Sequence, residues 1–195
     1  MTACIPCSSR IAPEDLDRWT DNIQNVLMAD EGRGRFKQFL ESRQLHDAIN
    51  TLEFWERTNA CLHTYERSCK NHHLSSHQKA EACAKFKRDA RALVEYADEN
   101  INFNVHQMTL LYAALDKDLE DLHNALARTL SSTSHLLDNE YVIFRKYLLK
   151  QKLSLHKKHG HSSGKLSPTS QAAKDRQNEG LHAKHHHHHG IGSAK

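Results

Sequence analysis

From Asp15 to Lys150, apolar residues return at intervals of three and four among strong helix formers, the pattern of amphipathic helices rather than strands. The spacing predicts a first helix from about Pro13 through Met28. Pro13 sits in its first turn, where a missing N–H costs nothing, and Asp30-Glu31-Gly32 closes it. A second helix carries Phe36, Phe39 and Leu40. A third carries the stripe Ile49, Leu52, Trp55, Leu62 and Tyr65. Cys69 to Ser76 is a polar break. Ser76 reads as the N-cap of the run from Gln78 to Tyr96, with Lys79 where a capping box would place an acid. Asn100-Ile101-Asn102 punctuates the chain. Further helices hold Val105, Met108, Leu111, Tyr112 and Leu115, then Leu119, Leu122, Leu126 and Leu130. The last holds Leu136, Leu137, Tyr141, Phe144 and Leu148, and the Lys and His residues that follow suit a helix C-terminus. The expected class is all-α.

Composition supports this reading, since seven Gly and three Pro in 195 residues leave few turn formers for a sheet-rich fold. The length suits one domain with tails. We expect a leader over 1–12, a helical domain over 13–152 and a disordered basic His/Ser-rich tail over 153–195. The formal charge of +3 is unevenly spread: residues 151–195 carry eight Lys/Arg against Asp175 and Glu179, which leaves −3 for residues 1–150. A nucleic-acid-binding domain would carry the opposite sign on its folded part, so no nucleic-acid partner is expected. No stretch has the roughly 18 consecutive apolar residues of a membrane span. Met1 to Arg10 lacks the basic start and apolar run of a secretory signal, and five cysteines without a regular framework suit a reducing compartment. A cytoplasmic monomer is expected.

Candidate chemistry is sparse. Cys4-Ile5-Pro6-Cys7 is a CxxC, but Cys61, Cys69 and Cys83 do not supply the second pair that a zinc site needs. Acylation of Cys4 and Cys7 could hold the domain peripherally at the plasma membrane, and inert thiols are an equal reading; Thr2 rules out N-myristoylation. Most of the 17 histidines lie in the tail (His156, His159, His161, His182, His185 to His189) or at His72, His73 and His77. Such tracts bind metals loosely, without the fixed geometry of a centre, and His185 to His189 reads equally as native or as an added tag. Glu31-Gly32-Arg33-Gly34-Arg35 lacks the frame and the closing Gly-Lys-Ser/Thr of a phosphate loop. Asp116 and Asp118 stand among lysines on helical segments, as a solvated face does. We expect no metal, no cofactor and no catalytic site of the chain's own.

A more specific signal is an ordered set of landmarks. Trp19, Leu27, Gly32, Phe36, Phe39, Leu40 and Ser42 are spaced as in the opening of a regulator-of-G-protein-signalling (RGS) domain. That family starts with a Trp, a leucine-rich turn, a Gly and a Phe-x-x-Phe-Leu-x-Ser. Phe54-Trp55, Ala84-Lys85-Phe86, Asn100-Ile101-Asn102-Phe103, and Tyr141-Val142-Ile143-Phe144 with Tyr147-Leu148 resemble its later landmarks, in the right order. The resemblance spans about Trp19 to Lys150.

The resemblance implies a nine-helix all-α domain with a four-helix bundle at one end, whose partner is a GTP-bound Gα subunit. An RGS domain donates no nucleophile, base or arginine finger; it holds the switch loops of Gα in their transition-state arrangement, so that Gα hydrolyses GTP faster. Carried over residue by residue, the Gα-binding set is Ser42, Asp47, Asn50, Thr51, Asn102, Asn139 and Ile143. Asn102 matches the family's Asn that reaches toward the catalytic Gln of Gα. The chain departs elsewhere. The acidic Ser-Glu-x-Ser-Glu-Glu-Asn segment is replaced by Arg43 to Thr51, three residues longer before Phe54. Thr51 stands where the contact Asn usually does, and Asn139 and Ile143 replace an Asp and an Arg. Asp47 or Asn50 could substitute if the inserted residues bulge. Extra residues also fall near Cys69–Gln78. Losing two or three charge-assisted contacts would cost several kcal/mol. Two alternatives stay open: an RGS-fold scaffold for another signalling protein, and a basic tail that binds acidic lipid or nucleic acid.

Overall fold

A computed structural model of the chain describes residues 10–160, and these form eight helices with no strand among them. They are α1 (Pro13–Asp21), α2 (Ile23–Leu27), α3 (Asp30–Ser42), α4 (His46–Lys70), α5 (Ser76–Asn100), α6 (Val105–Ala114), α7 (Leu119–Leu136) and α8 (Asp138–Gly160). Helices α4 to α7 make a bundle. Its core joins Leu62 of α4, Phe86 and Ala90 of α5, Ala114 of α6 and Leu122, Ala125 and Leu126 of α7. A second cluster of Phe54, Leu93, Ala97 and Ile101 lies toward the other end of α4 and α5. Helices α1 to α3 pack in succession, and α8 is laced onto them. Phe144 stacks on Phe36 at 4.9 Å between ring centres, Tyr141 Oη donates to the Trp19 carbonyl at 2.7 Å, and Arg145 Nε donates to the Thr20 carbonyl at 2.6 Å. Residues 1–153 and 154–195 divide as two units.

Several expected boundaries move, each for a local reason. The single helix expected over 13–28 is broken at Asn22. Its backbone is extended, and its side chain accepts from the Asn25 N–H at 2.9 Å to cap α2. Asp30-Glu31-Gly32 opens α3 instead of closing the first helix, since the two acids favour the positive end of a helix dipole. The N-cap of α5 is Ser75 rather than Ser76, and Gln78 completes a reciprocal capping box. The leader stops short of residue 12, because Ile11 is buried. Helix α8 runs on to Gly160, past the expected start of the tail at 153. Cys4, Cys7 and His185 to His189 lie outside the described residues.

Glu31-Gly32-Arg33-Gly34-Arg35 is helical, and it packs. A Cβ on Gly32 would stand 2.9 Å from the Val26 carbonyl oxygen and 3.0 Å from the Trp19 ring, so only Gly admits this approach. Arg33 donates to the Leu27 carbonyl at 2.7 Å, pairs with Asp30 at 2.8 Å and Glu56 at 3.3 Å, and lies over the Trp55 ring. It ties α2, α3 and α4 together.

Candidate functional site

Adjacent helices of the bundle run antiparallel, so the start of α4, the end of α5, the start of α6 and the end of α7 meet at one end. Three cross-links fix this. Tyr96 Oη donates to the Asn50 carbonyl at 3.4 Å, Phe103 sets its edge on Phe54 at 5.9 Å, and Gln107 Nε2 donates to Ser132 Oγ at 3.5 Å. The α3–α4, α5–α6 and α7–α8 connections therefore share an end.

The α3–α4 connection is Arg43-Gln44-Leu45. The Gln44 N–H bonds the Glu41 carbonyl at 3.0 Å and the Leu45 N–H bonds the Leu40 carbonyl at 3.1 Å, the two bonds of a Schellman motif. Gln44 occupies its left-handed position with φ 56°. The three extra residues do not bulge, because α4 is regular from His46 onward. Asp47 is exposed in its first turn and Asn50 is half-buried. Thr51 is buried, with Oγ1 donating to the Asp47 carbonyl at 2.9 Å. As a partner contact Thr51 is therefore corrected: one turn beyond Asp47 it faces the core. Ser42 is exposed, but its hydroxyl donates to the Phe39 carbonyl at 2.7 Å.

In the α5–α6 connection, Ile101 is buried and Phe103 half-buried, which turns the intervening Asn102 to solvent. The capping role that an Asn here could serve belongs to Asn104. Its side chain accepts from the Gln107 N–H at 2.8 Å, and the Gln107 carboxamide returns to the Asn104 N–H at 3.1 Å. Asn102 makes no hydrogen bond among the described residues. Across the α7–α8 junction, Asn139 and Ile143 lie one turn apart on α8, both exposed, while Tyr141 between them turns inward. Of the seven expected site residues, the fold thus brings Asp47, Asn102, Asn139 and Ile143 to solvent at this end, leaves Asn50 half-buried and Ser42 bonded within its helix, and buries Thr51.

Asp98 and Glu99, exposed in the last turn of α5, also stand at this end and were not anticipated. The signal was present: carboxylates oppose the dipole at a helix C-terminus. Asp98 accepts from Tyr112 Oη at 2.7 Å, which together with burial and the acids Glu95 and Glu99 raises the Tyr112 pKa. Burial first, and then the Asp89 carboxylate, push the Cys61 thiol up to about 11, so it is protonated at neutral pH. Among the described residues no group of three His, Cys, Asp or Glu could hold a metal ion, and no helix is long and apolar enough to cross a membrane. No protein-family model, curated protein or solved structure gives a significant match to the chain.

Proposed function

We propose that this chain is a divergent RGS-like domain that binds an activated Gα subunit through the end of the bundle carrying Asn102. The observation that carries the reading is the free, solvent-facing Asn102 carboxamide, at the end where Asp47 and Asn139 are also exposed. Two further features support it. The described residues form eight helices where the resemblance implies nine, and the α4–α7 bundle is the part of the fold that the resemblance leads one to expect. Exposed carboxylates at Asp47, Asp98 and Glu99 also restore acid to a surface whose usual acidic segment is missing. Such a domain acts by binding the transition-state arrangement of the switch loops better than the ground state, each 1.4 kcal/mol or so of preference giving tenfold in rate.

The test is single-turnover GTP hydrolysis by a panel of Gα subunits, with and without the protein, alongside binding to their aluminium-fluoride forms. Acceleration, or selective binding of the fluoride form, that falls with Asn102→Ala supports the reading. Absence of both removes it. A second reading, a scaffold of the same fold for another protein, draws on the burial of Thr51 and the uncharged Asn139 and Ile143. Capture of a partner from lysate that ignores the guanine nucleotide state, with no Gα among the captured proteins, favours the scaffold.

A further inference from the structure

Between α6 and α7 runs a half-open slot of about 190 Å³, whose lining includes Phe103, next in the chain to Asn102. Its geometry follows from two helical rows. Phe103, Gln107, Leu110 and Leu111 face it from the α6 side, and Ala125, Arg128 and Ser132 face it from α7. The floor is apolar, from Phe103, Leu111 and Ala125, because the small side chain of Ala125 leaves α7 unfilled opposite the α6 leucines. Leu110 forms a lip and is 50% exposed. One end is closed where Gln107 Nε2 donates to Ser132 Oγ. Arg128 stands on the rim, exposed, and its guanidinium has no ion pair or hydrogen bond among the described residues.

We propose that this slot binds a small organic acid with an apolar body, aryl or branched alkyl, whose carboxylate pairs with Arg128. Size and charge both point there. The volume is a little above the roughly 150 Å³ that takes a benzene molecule in an engineered protein cavity, so one ring with a short chain fits. A mostly apolar lining with few polar groups is shared with small-molecule sites, though this slot is smaller than their usual roughly 300–1,000 Å³, and a guanidinium offers a carboxylate two parallel N–H donors. A cationic ligand meets repulsion at Arg128, and a ligand without an apolar body leaves the floor wet. Phe103 is shared between the slot and the edge contact on Phe54. A bound acid therefore braces the connection from Ile101 to Asn104. This inference stands whether or not the chain binds Gα.

The experiment is a titration of the 195-residue chain with 3-phenylpropionate and with its neutral amide, followed by backbone amide NMR shifts. The acid is expected to shift residues 103–111 and 125–132, and the amide to bind about tenfold more weakly, the loss of one charge-assisted pair. Arg128→Gln should bring the acid down to the level of the amide and leave the amide unchanged. Leu110→Ser, on the exposed lip, should weaken both. Equal affinity for acid and amide, an Arg128→Gln variant that binds the acid as the unaltered chain does, or shifts that map elsewhere would overturn the proposal.

Discussion

Two buried residues set the tolerances of the packing. Gly32 lets α3 approach the Trp19 ring and the Val26 carbonyl more closely than any Cβ allows, and the nearest obstacle is backbone, which cannot yield as a flexible side chain can. Gly32→Ala gains helix propensity of under about 1 kcal/mol but adds overpacking of about 1–3 kcal/mol. The net expected in urea unfolding is destabilisation, and a variant at least as stable as the parent would refute the contact. Thr58 is the opposite case. It is fully buried on α4, and its hydroxyl has no partner. An unpaired buried hydroxyl costs about 1–3 kcal/mol, and valine keeps the shape without the polar atom. Thr58→Val should therefore raise the urea midpoint without changing the slope.

At the scale of elements, helix ends make small and separable contributions to stability, and there the two asparagines of one connection can be told apart. Asn104 caps α6, so Asn104→Ala should cost about 1 kcal/mol. Asn102→Ala, two residues earlier, should leave the melting temperature where it is, because no bond is lost. A matched pair of thermal melts checks both, and a destabilised Asn102→Ala variant would mean that the side chain holds the fold rather than awaiting a partner. The end of α3 offers a gain. Gln44 sits in the left-handed region that glycine adopts freely, so Gln44→Gly should stabilise by about 0.5–1 kcal/mol in the same melts.

These ends also explain what could be read from the chain directly. The period of Leu52, Trp55 and Leu62 marks α4 because each residue is buried, and a buried helix face repeats. Boundaries lack that redundancy. Asn22 breaks a continuous apolar pattern through one hydrogen bond, and Ser75 rather than Ser76 caps α5 because only from Ser75 does Gln78 fall at the third position. Thr51 failed as a site residue for the same reason. Counting back from Phe54 fixes its place in the sequence, but its place on the helix circumference depends on where α4 begins, and the extra residues were taken up as regular helix. Asn102 was singled out through the family resemblance alone, and the structure adds that it is exposed between the buried Ile101 and the half-buried Phe103.

The whole molecule hangs on the return of α8. The chain leaves the α1–α3 layer at Ser42, builds the bundle, and closes the layer only when Phe144 reaches Phe36. Phe39 and Tyr147 extend the same ring contact at 5.3 and 5.5 Å from their neighbours, and Lys152 pairs with Asp17 of α1 at 2.5 Å. The core of the layer is thus built from both ends of the described chain. Local helix formation in α1 to α3 cannot complete it, since an apolar face needs a partner to be buried. Layer and bundle are joined in turn through Arg33, which holds Glu56 and lies over Trp55 on α4. Phe144→Ala should remove about 3–5 kcal/mol, a large share of the roughly 5–15 kcal/mol that holds a domain of this size. Because Arg33 couples the two parts, the loss should appear as one cooperative transition at a lower temperature, with near-UV and far-UV signals falling together. If the variant instead melts in two steps, with helical signal surviving the loss of the tryptophan environment, the bundle folds without its layer. In that case the end of the bundle bearing Asn102 would have to be positioned by α4 to α7 alone.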